Sequence, residues 1–366
     1  MTTDLFAKPE LRDLVRNFTL REIVPHLADW ERAGEVPREL HRKAAGLGLL
    51  GIGFAEEVGG EGGDLTDSIV VTEEIIQSGG SSGLIAALFT HGIALPHIID
   101  SGNSELIDRF VRPTLRGELI GCLAITEPDG GSDVAGIRTT AKADGDRYIV
   151  NGTKLFITSG ARADFATTAV RTEEGVRLVV VEGFTVTRTL EKMGWHCSDT
   201  AELSFVDVPV PRGHDVGGFH ALMRHFAAER ISLAVQCYAT AQRCLDLTVA
   251  WVRDRHTFGR PLASRQLVRH RLAEMARQVD VARTYVRHTA LRVASGERLV
   301  TEVAMAKNTA VAACDHVVDQ AVQLHGGLGY LRDTEVERHY RDARIMGIGG
   351  GTTEIMNEII AKQLGV

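Results

Sequence analysis

The segment from Ala124 to Gly136, Ala-Ile-Thr-Glu-Pro-Asp-Gly-Gly-Ser-Asp-Val-Ala-Gly, has the residue types of a ligand-binding loop. It contains a turn, two adjacent glycines whose amide groups can come close to a bound molecule, and the hydroxyls of Thr126 and Ser132. Taken alone, such a loop is as often a structural turn as a binding site. Its role therefore depends on the motifs found elsewhere in the chain.

Three other patterns are weaker. The Gly-x-Gly-x-x-Gly string at 46–51 follows a helical pattern rather than a strand, which favours helix-terminating glycines over a dinucleotide fingerprint. The string Gly349–Thr352 lacks the Gly-Lys-Ser/Thr ending of a P-loop. His225 and Glu229 are four residues apart, but one such pair is ordinary helix chemistry and the chain has no HExxH motif. We predict no metal site.

Four further strings follow the loop in a fixed order along the chain. Together with the loop they span nearly the whole sequence, and in this order they resemble the acyl-CoA dehydrogenase family of flavoproteins. The strings are Lys154-Leu-Phe-Ile-Thr-Ser-Gly160, Arg255-His-Thr-Phe-Gly259, Gln323-Leu-His-Gly-Gly-Leu-Gly-Tyr330 and Ile348-Gly-Gly-Gly-Thr-Thr-Glu-Ile355.

The resemblance implies FAD as cofactor and assigns one set of residues to the flavin of the same subunit. Thr126 matches a hydroxyl that hydrogen-bonds the ring, and Ser132 matches one at the pyrophosphate. Phe156 matches the aromatic residue packed on the isoalloxazine, often tryptophan in the family, with Ile157 and Thr158 at the ring edge. The full set is Leu123, Ile125, Thr126, Gly131, Ser132, Phe156, Ile157 and Thr158.

A second set matches positions that hold the FAD of a neighbouring subunit. A guanidinium such as that of Arg255 is a natural ligand of pyrophosphate. Because each subunit then completes its partner's site, the resemblance implies at least a homodimer, with a homotetramer as the other option. The set comprises Arg255, Thr257, Phe258, Gln266, Gln323 and Gly327, with Thr352 and Glu354 near the adenosine.

The reaction of this family needs a base, because the α-proton of an acyl thioester is removed while the β-hydride passes to flavin N5. Many members place a glutamate before Gly-Thr near the C-terminus, where this sequence has Gly350. A subgroup resembling isovaleryl- and long-chain acyl-CoA dehydrogenases instead places it before a family-wide arginine, where this sequence has Glu229-Arg230. We predict Glu229 as the base; the alternative is a helix-surface glutamate paired with a neighbouring arginine.

The resemblance also implies how the charge on the substrate is stabilised. As the α-proton leaves, negative charge forms on the thioester oxygen, and the backbone N–H of Gly350 is expected to donate to it. A glutamate in a closed apolar pocket has a raised pKa, which suits a base near neutral pH. Phe226 and Arg230, on the same helical segment as Glu229, are assigned to substrate binding.

The acyl group and its carrier are less well specified. The default is a short-chain or branched acyl-CoA. Ala227 replaces an acidic residue that many relatives place near the pantetheine arm, and Arg224 and His225 add positive charge. These changes suit an acidic carrier protein or a polar acyl group, or simply a solvated helix face. The short β-domain, compact length and Arg-rich composition resemble a branch that oxidises short hydroxyacyl groups on acyl carrier protein, on the way to hydroxymalonyl or methoxymalonyl polyketide extender units.

Two further functions stay open on the same fold. A flavin oxidase or monooxygenase would pass its electrons to oxygen, whereas a dehydrogenase has an electron-transfer flavoprotein as candidate acceptor. A non-catalytic flavin-binding protein is the alternative outside enzymes, and it is favoured only if Glu229 points away from the flavin.

The elements that must position these residues follow from the apolar spacing. Residues 1–119 have mostly helical periodicity, with Asp64 as the expected cap of a new helix. Residues 120–212 contain short β-rich runs, and Asn151-Gly152 predicts a hairpin turn. Residues 213–366 contain long helical segments near 219–253, 265–295 and 301–323 and a short one after Thr352. We predict an α+β fold: a helical domain, an antiparallel β-domain and a C-terminal four-helix bundle.

Composition limits the remaining possibilities. The net charge of −7 provides no overall positive field for a nucleic acid or an anionic membrane. The N-terminal residues lack the pattern of a secretory signal, and no apolar run approaches the about 20 residues that span a bilayer. The five cysteines are scattered and never form a CxxC pair, which favours free thiols. We therefore expect a cytoplasmic protein.

Overall fold

The computed structural model describes residues 5–366, and its N-terminal third is helical as predicted. The helix that follows the glycine-rich turn begins where the sequence places it. Asp64 accepts hydrogen bonds from the backbone of Thr66 and Asp67, and the Asp67 side chain accepts one in return, which forms a capping box. The helices are α1 (Pro9–Phe18), α2 (Leu27–Ala33), α3 (Arg38–Ala45), α4 (Leu65–Gln77), α5 (Ser82–Leu88), α6 (His91–Ala94), α7 (Pro96–Asp100), α8 (Ser104–Leu106) and α9 (Arg112–Leu115).

The middle of the chain forms an eight-stranded sheet in the order β6-β7-β3-β2-β4-β5-β8, with β1 paired to β4. The predicted β-domain is confirmed, but the sheet is mixed rather than antiparallel. Both β1 and β2 pair with β4 in parallel. The segment between β1 and β2, which contains the predicted flavin loop, thus connects two strands that run in the same direction. The strands are β1 (Gly121–Ala124), β2 (Thr140–Asp144), β3 (Arg147–Thr158), β4 (Phe165–Thr172), β5 (Gly175–Val181), β6 (Thr185–Thr189), β7 (Thr200–Pro211) and β8 (Asp215–Gly218).

The prediction of a hairpin turn at Asn151-Gly152 is wrong. These residues lie inside β3, where the pairing with β7 shifts register. Gly152 has φ 149°, and a Cβ there would lie 2.5 Å from Thr139 Oγ1, so glycine serves a close approach within the sheet. The Asn151 side chain exchanges hydrogen bonds with Asp207. The Asn-Gly pair therefore marks an irregularity within a strand and not a turn between two strands.

Alternate residues of the sheet pack into two different clusters. In β4, Phe165 and Ala169 pack with Phe110 and other residues of the helical segment 95–115, whereas Ala166 and Val170 belong to the core on the other face. This alternation is the ordinary pleat of a strand that is buried on both sides. Both faces of β4 are therefore fixed, which gives a rigid base for the loop that follows β1.

The C-terminal part contains the long helices predicted from the sequence. A small antiparallel ribbon, β9 (His256–Thr257) and β10 (Arg260–Pro261), lies in the chain between the first two of these helices, Phe219–Asp254 and Gln266–Ala294. Within the described chain, α12 contacts α11, α13 and α14. The helices are α10 (Phe219–Asp254), α11 (Gln266–Ala294), α12 (Val300–His325), α13 (Glu335–Ala343) and α14 (Thr353–Leu364).

The chain divides into two compact units. One comprises the residues up to Ala28 with Asp64–Ser82 and Ala227–Val366, and the other comprises Asp29–Gly63 and Gly83–Phe226. All five cysteines are buried free thiols, as expected. In residues 5–366, no single helix is long and apolar enough to cross a membrane; the bent pair Ser82–Leu88 and His91–Asp100 meets the length and composition criteria only when both helices are taken together.

Candidate active site

The predicted flavin loop follows β1 and is closed by backbone hydrogen bonds. Glu127 and Gly130 exchange N–H···O bonds of 3.0 and 3.1 Å, and the Asp133 side chain accepts from Gly136 N at 3.0 Å. A Cβ on Gly131 would lie 3.7 Å from the Thr126 methyl group, so these two predicted residues are neighbours. Gly131 and Ser132 are exposed. The loop therefore presents a hydroxyl and an accessible glycine peptide at one place.

A buried ion pair anchors this loop to β3. Lys154 Nζ donates to the Ile125 carbonyl and to Glu127 Oε1, each at 2.8 Å, and Glu127 also accepts from the backbone N–H groups of Arg138 and Thr139. Although burial opposes its ionisation, Lys154 and these backbone donors lower the pKa of Glu127 to about 2. Burial lowers the pKa of Lys154 to about 8. Both groups are charged at neutral pH.

Phe156 stands out in β3 because of its backbone. It has φ 61°, rare for a bulky residue, and lies in a second shift of the β3–β7 register, between Lys154 and Ile157. The side chain of Phe156 is 63% exposed, while that of Ile157 is buried in the core. The bulge thus turns an aromatic ring out of the sheet. Such strain is typical of functional sites.

Ile157 and Thr158 differ in what they can offer a flavin. Because the Ile157 side chain is packed in the sheet core, only its backbone remains for a ligand. Thr158 is half-buried, as are Leu123, Ile125 and Thr126. Leu155 N donates to Thr126 O at 2.8 Å, which joins the bulge directly to the loop. The structure thus brings the first predicted set of residues together around one loop and one bulge.

The predicted base and its partner position also come together. Glu229 lies on α10, and Gly350 lies in the turn before α14 with φ 64°. A Cβ on Gly350 would lie 3.4 Å from Glu229 Oε1 and 2.5 Å from Leu233 Cδ1. The carboxylate therefore reaches the place from which a side chain at 350 would start. Glu229 and a side chain at position 350 would therefore occupy neighbouring space.

Burial is the largest influence on the ionisation of Glu229. Its side chain is half-buried. The surrounding protein raises the pKa of Glu229, whereas the positive charges of Arg230 and Lys307 act to lower it. Within residues 5–366 its carboxylate accepts no hydrogen bond. A carboxylate whose pKa is raised by burial is a stronger proton acceptor than one at the surface.

The turn of Gly349, Gly350 and Gly351 is held through its carbonyl groups. Arg230 Nε donates to Gly350 O at 3.1 Å, and Lys307 Nζ donates to the carbonyls on both sides, those of Gly349 and Gly351. In the described chain the N–H of Gly350 donates to no protein acceptor. This is the N–H that the resemblance assigns to the thioester oxygen, and it is unused by the fold.

Arg230 and Phe226, the two residues predicted to bind substrate, also contact other parts of the protein. Arg230 is buried, and its hydrogen bond to Gly350 makes it a support of the turn. Phe226 is half-buried and packs against the apolar cluster that contains Leu222 and Val216. Contact of either side chain with substrate stays a prediction.

The second set of predicted FAD residues lies mostly on exposed surface. Thr257 and Phe258 belong to the β9–β10 ribbon, where Phe258 has φ 51° and is 97% exposed. The Trp251 ring connects this ribbon to the end of α12: Arg255 lies over it at 5.7 Å, and His325 stacks on it at 5.4 Å. Exposed members of the set at these places are Arg255, Phe258, Gln266, Gln323 and Gly327.

Thr352 and Glu354 lie apart from that ribbon in the sequence, at the start of α14. The Thr352 hydroxyl caps the helix by accepting from Ile355 N at 3.2 Å, and Glu354 is exposed in the first turn. Their grouping around an adenosine stays a prediction.

Lys154, Glu127 and Lys307 were not assigned roles from the sequence, although a signal was present for each lysine. Lys154 directly precedes the apolar residues Leu155, Phe156 and Ile157 in β3, and a charge that is buried there requires a partner. Lys307 shares the helical spacing of the buried residues Val303, Ala310 and Cys314, which places it on the packed face of α12.

Comparison with known proteins agrees with this geometry. Models of the N-terminal, middle and C-terminal domains of acyl-CoA dehydrogenases match residues 7–118, 122–208 and 217–365. The mitochondrial long-chain specific acyl-CoA dehydrogenase of Sus scrofa is 40% identical over 96% of this chain and 85% of its own. A solved probable acyl-CoA dehydrogenase from Mycobacterium abscessus is 61% identical, with a TM-score of 0.97 over 98% of this chain and 100% of that chain.

A third relative bears on the cofactor. A glutaryl-CoA dehydrogenase from Mycobacterium smegmatis, solved in complex with FADH2, is 27% identical, with a TM-score of 0.92 over 99% of this chain and 96% of that chain. This chain belongs to the acyl-CoA dehydrogenase family. It is an FAD-dependent oxidoreductase that dehydrogenates acyl-CoA thioesters. The outward-turned Phe156 and the accessible loop at Thr126, Gly131 and Ser132 fit a flavin.

Proposed function

We propose that Glu229 removes the α-proton of the acyl-CoA substrate and that the backbone N–H of Gly350 donates to the thioester oxygen. The observation that carries this proposal is the 3.4 Å separation between Glu229 Oε1 and the Cβ position of Gly350. It explains how the chain works without a glutamate at position 350. When bound, FAD accepts the β-hydride.

Each role has an expected magnitude. Proton transfer to a positioned base typically contributes about 10²–10⁴-fold to a rate. A backbone donor aimed at a developing oxyanion contributes about 10²–10³-fold. The pKa of Glu229 is raised, and the pKa of the α-C–H of the substrate falls when the thioester oxygen receives a hydrogen bond. Both changes reduce the difference between the two pKa values. The two residues therefore act on opposite ends of the same developing enolate.

The carrier is best assigned as CoA. The basic pair that favoured an acyl carrier protein is balanced inside its own unit: Arg224 and His225 contact Asp100 at 2.8 and 3.0 Å. Burial also lowers the pKa of His225, so little net positive charge remains there at neutral pH. The short or branched acyl group, and an electron-transfer flavoprotein as acceptor, stay predictions. The relative from Sus scrofa is named for long chains.

The test is substitution of Glu229 by glutamine, followed by anaerobic mixing with substrate. Acyl thioesters of several chain lengths, on CoA and on acyl carrier protein, are first compared with the unaltered enzyme to choose the substrate. We expect Glu229→Gln to keep its FAD and to bleach it about 10²–10⁴-fold more slowly, because an amide cannot accept the proton.

Two controls make the result specific. Asp246→Asn is the same chemical change at an exposed position of the same helix and should reduce its flavin at the normal rate. Thermal unfolding should show no loss of stability in Glu229→Gln. A folded-state pKa that is raised means that ionisation at neutral pH disfavours the fold, and the amide removes that cost. A normal reduction rate in Glu229→Gln would refute the assignment, and faster bleaching by the carrier-protein thioester at low salt would replace CoA.

A further inference from the structure

Lys307 is a buried cation to which the mechanism proposed above assigns no role. Its side chain belongs to α12 and is almost completely inaccessible. Burial lowers its pKa to about 8. A buried ammonium is costly unless its protons are bonded, and two of them are taken by the carbonyl groups of Gly349 and Gly351. The ammonium group therefore binds one short stretch of backbone, residues 349–351.

That stretch has no conformational preference of its own. Three consecutive glycines give the least restricted backbone possible, and Gly350 and Gly351 have φ 64° and 94°. Without side chains, the orientation of each peptide plane depends on what its carbonyl contacts. Lys307 holds the carbonyls on either side of Gly350, while Arg230 holds that of Gly350 itself. The three planes are thus fixed from outside the turn.

The ammonium is also close to the predicted base. Lys307 Nζ lies 3.7 Å from the Cβ position of Gly350, and Glu229 Oε1 lies 3.4 Å from the same point. The groups that act electrostatically on Glu229 are Arg230 and Lys307. Those that act on Lys307 are Cys237, Glu229 and Arg230. One lysine thus borders both the backbone donor and the carboxylate.

We propose that Lys307 is a positioning residue for the dehydrogenation. It holds the Gly349 carbonyl, which belongs to the same peptide group as the Gly350 N–H, and the Gly351 carbonyl, and it thereby keeps that N–H aimed at the thioester oxygen. The inference deepens the function proposed above and rests on it. Lys307 does not touch the substrate in this role. Its effect passes through the turn and, by charge, through Glu229.

The test uses Lys307→Met in the FAD-loaded enzyme. Methionine keeps an unbranched apolar chain one atom shorter than that of lysine, but removes the donors and the charge. We expect flavin reduction by saturating substrate to slow about tenfold or more, part of what loss of an oxyanion donor costs, while the substrate concentration for half-saturation changes less than about threefold. The rising limb of the rate against pH should move to higher pH, because a nearby positive charge favours the ionised form of Glu229.

Matched variants separate positioning from stability. Asn308→Ala removes a neighbouring tether of α12, the bond from Asn308 to Thr353 O at 3.1 Å, without touching the glycine turn. We expect it to lower the melting temperature but to keep the reduction rate per bound flavin and its pH profile. Lys307→Arg keeps charge and donors, so its pH profile should stay normal even where its rate falls.

The outcomes are distinguishable. Normal rate and pH profile in a folded, flavin-loaded Lys307→Met would overturn the inference, as would an equal loss in Asn308→Ala. If Lys307→Met does not fold, Lys307→Gln, which keeps an N–H donor group without the charge, replaces it. Failure of all three Lys307 variants to fold and bind FAD would also overturn it, since the lysine would then serve the fold. Glu229→Gln, measured alongside, reports separately on the proposed base.

Discussion

At the scale of single residues, the site depends on where one carboxylate lies and on one missing side chain. Glu229 reaches the space beside Gly350, and the glycine leaves that space open. A Cβ at 350 would also lie 2.5 Å from Leu233 Cδ1, so Leu233 fills part of the volume that a side chain there would need. The two positions are therefore coupled through a third residue that shows no sign of function in the sequence.

This coupling predicts how the base can be moved. In Glu229→Gln, adding Gly350→Glu should restore little flavin reduction, because the new side chain meets Leu233 and a left-handed backbone costs about 1–2 kcal/mol for a residue with a side chain. Adding Leu233→Ala to that pair should restore more. Anaerobic reduction kinetics measure each variant. The control is Gly350→Ala in the same background, and recovery there equal to that with glutamate would contradict the coupling.

At the scale of elements, the predicted flavin loop is anchored by a buried ion pair as well as by its own hydrogen bonds. The Lys154–Glu127 pair ties the loop after β1 to the bulged strand β3, and the backbone bond from Leu155 to Thr126 joins them again. Both side chains of the pair are buried. Removing one partner of such a pair leaves the other charge uncompensated, which costs about 3–5 kcal/mol.

We therefore expect Lys154→Met to lower the melting temperature markedly and to weaken FAD retention, since Glu127 would be left as a buried anion under the loop. Thermal unfolding and the ratio of flavin to protein after gel filtration measure the two effects. Lys142→Met, at an exposed position of β2, is the control and should behave as the unaltered protein. In the double variant Lys154→Met, Glu127→Gln the loss should be smaller than in Lys154→Met alone. Additive losses would argue against the ion pair as the anchor.

At the scale of the whole molecule, part of the predicted FAD site points to solvent. Arg255 and Phe258 are exposed on the β9–β10 ribbon, and Phe258 is an aromatic ring with almost its entire surface accessible. Exposed aromatic and guanidinium groups on an ordered ribbon are typical of a contact with another molecule. They suit the proposal that each subunit contributes to the flavin site of a second copy.

Charge reversal tests this proposal. Arg255→Glu should release FAD by repulsion at the pyrophosphate, while Arg253→Glu, also exposed and two residues earlier on α10, should retain it. Absorbance after desalting gives the flavin content, and sedimentation velocity gives the oligomeric state. A fully flavinated monomer, or full FAD occupancy in Arg255→Glu, would be incompatible with a shared site.

The sequence by itself determined the order of helical and β-rich regions, the long C-terminal helices and the cap at Asp64, because these depend on local periodicity and local hydrogen bonds. Its motifs also indicated the family. It misled at Asn151-Gly152, where a turn signal lies inside a strand, and at the parallel pairings of β4. Strand direction and bulges depend on partners distant in the chain, so local pattern cannot supply them.

Only the tertiary structure decided which groups meet. Glu229 and Gly350 are 121 positions apart in the chain, and only folding shows that one fills the space left by the other. The same holds for Lys307 with the glycine turn and for Lys154 with Glu127. A lysine in an apolar run shows that a partner must exist, because a buried charge requires one. Which partner it finds is fixed by packing, and packing is where the chemistry of this site was determined.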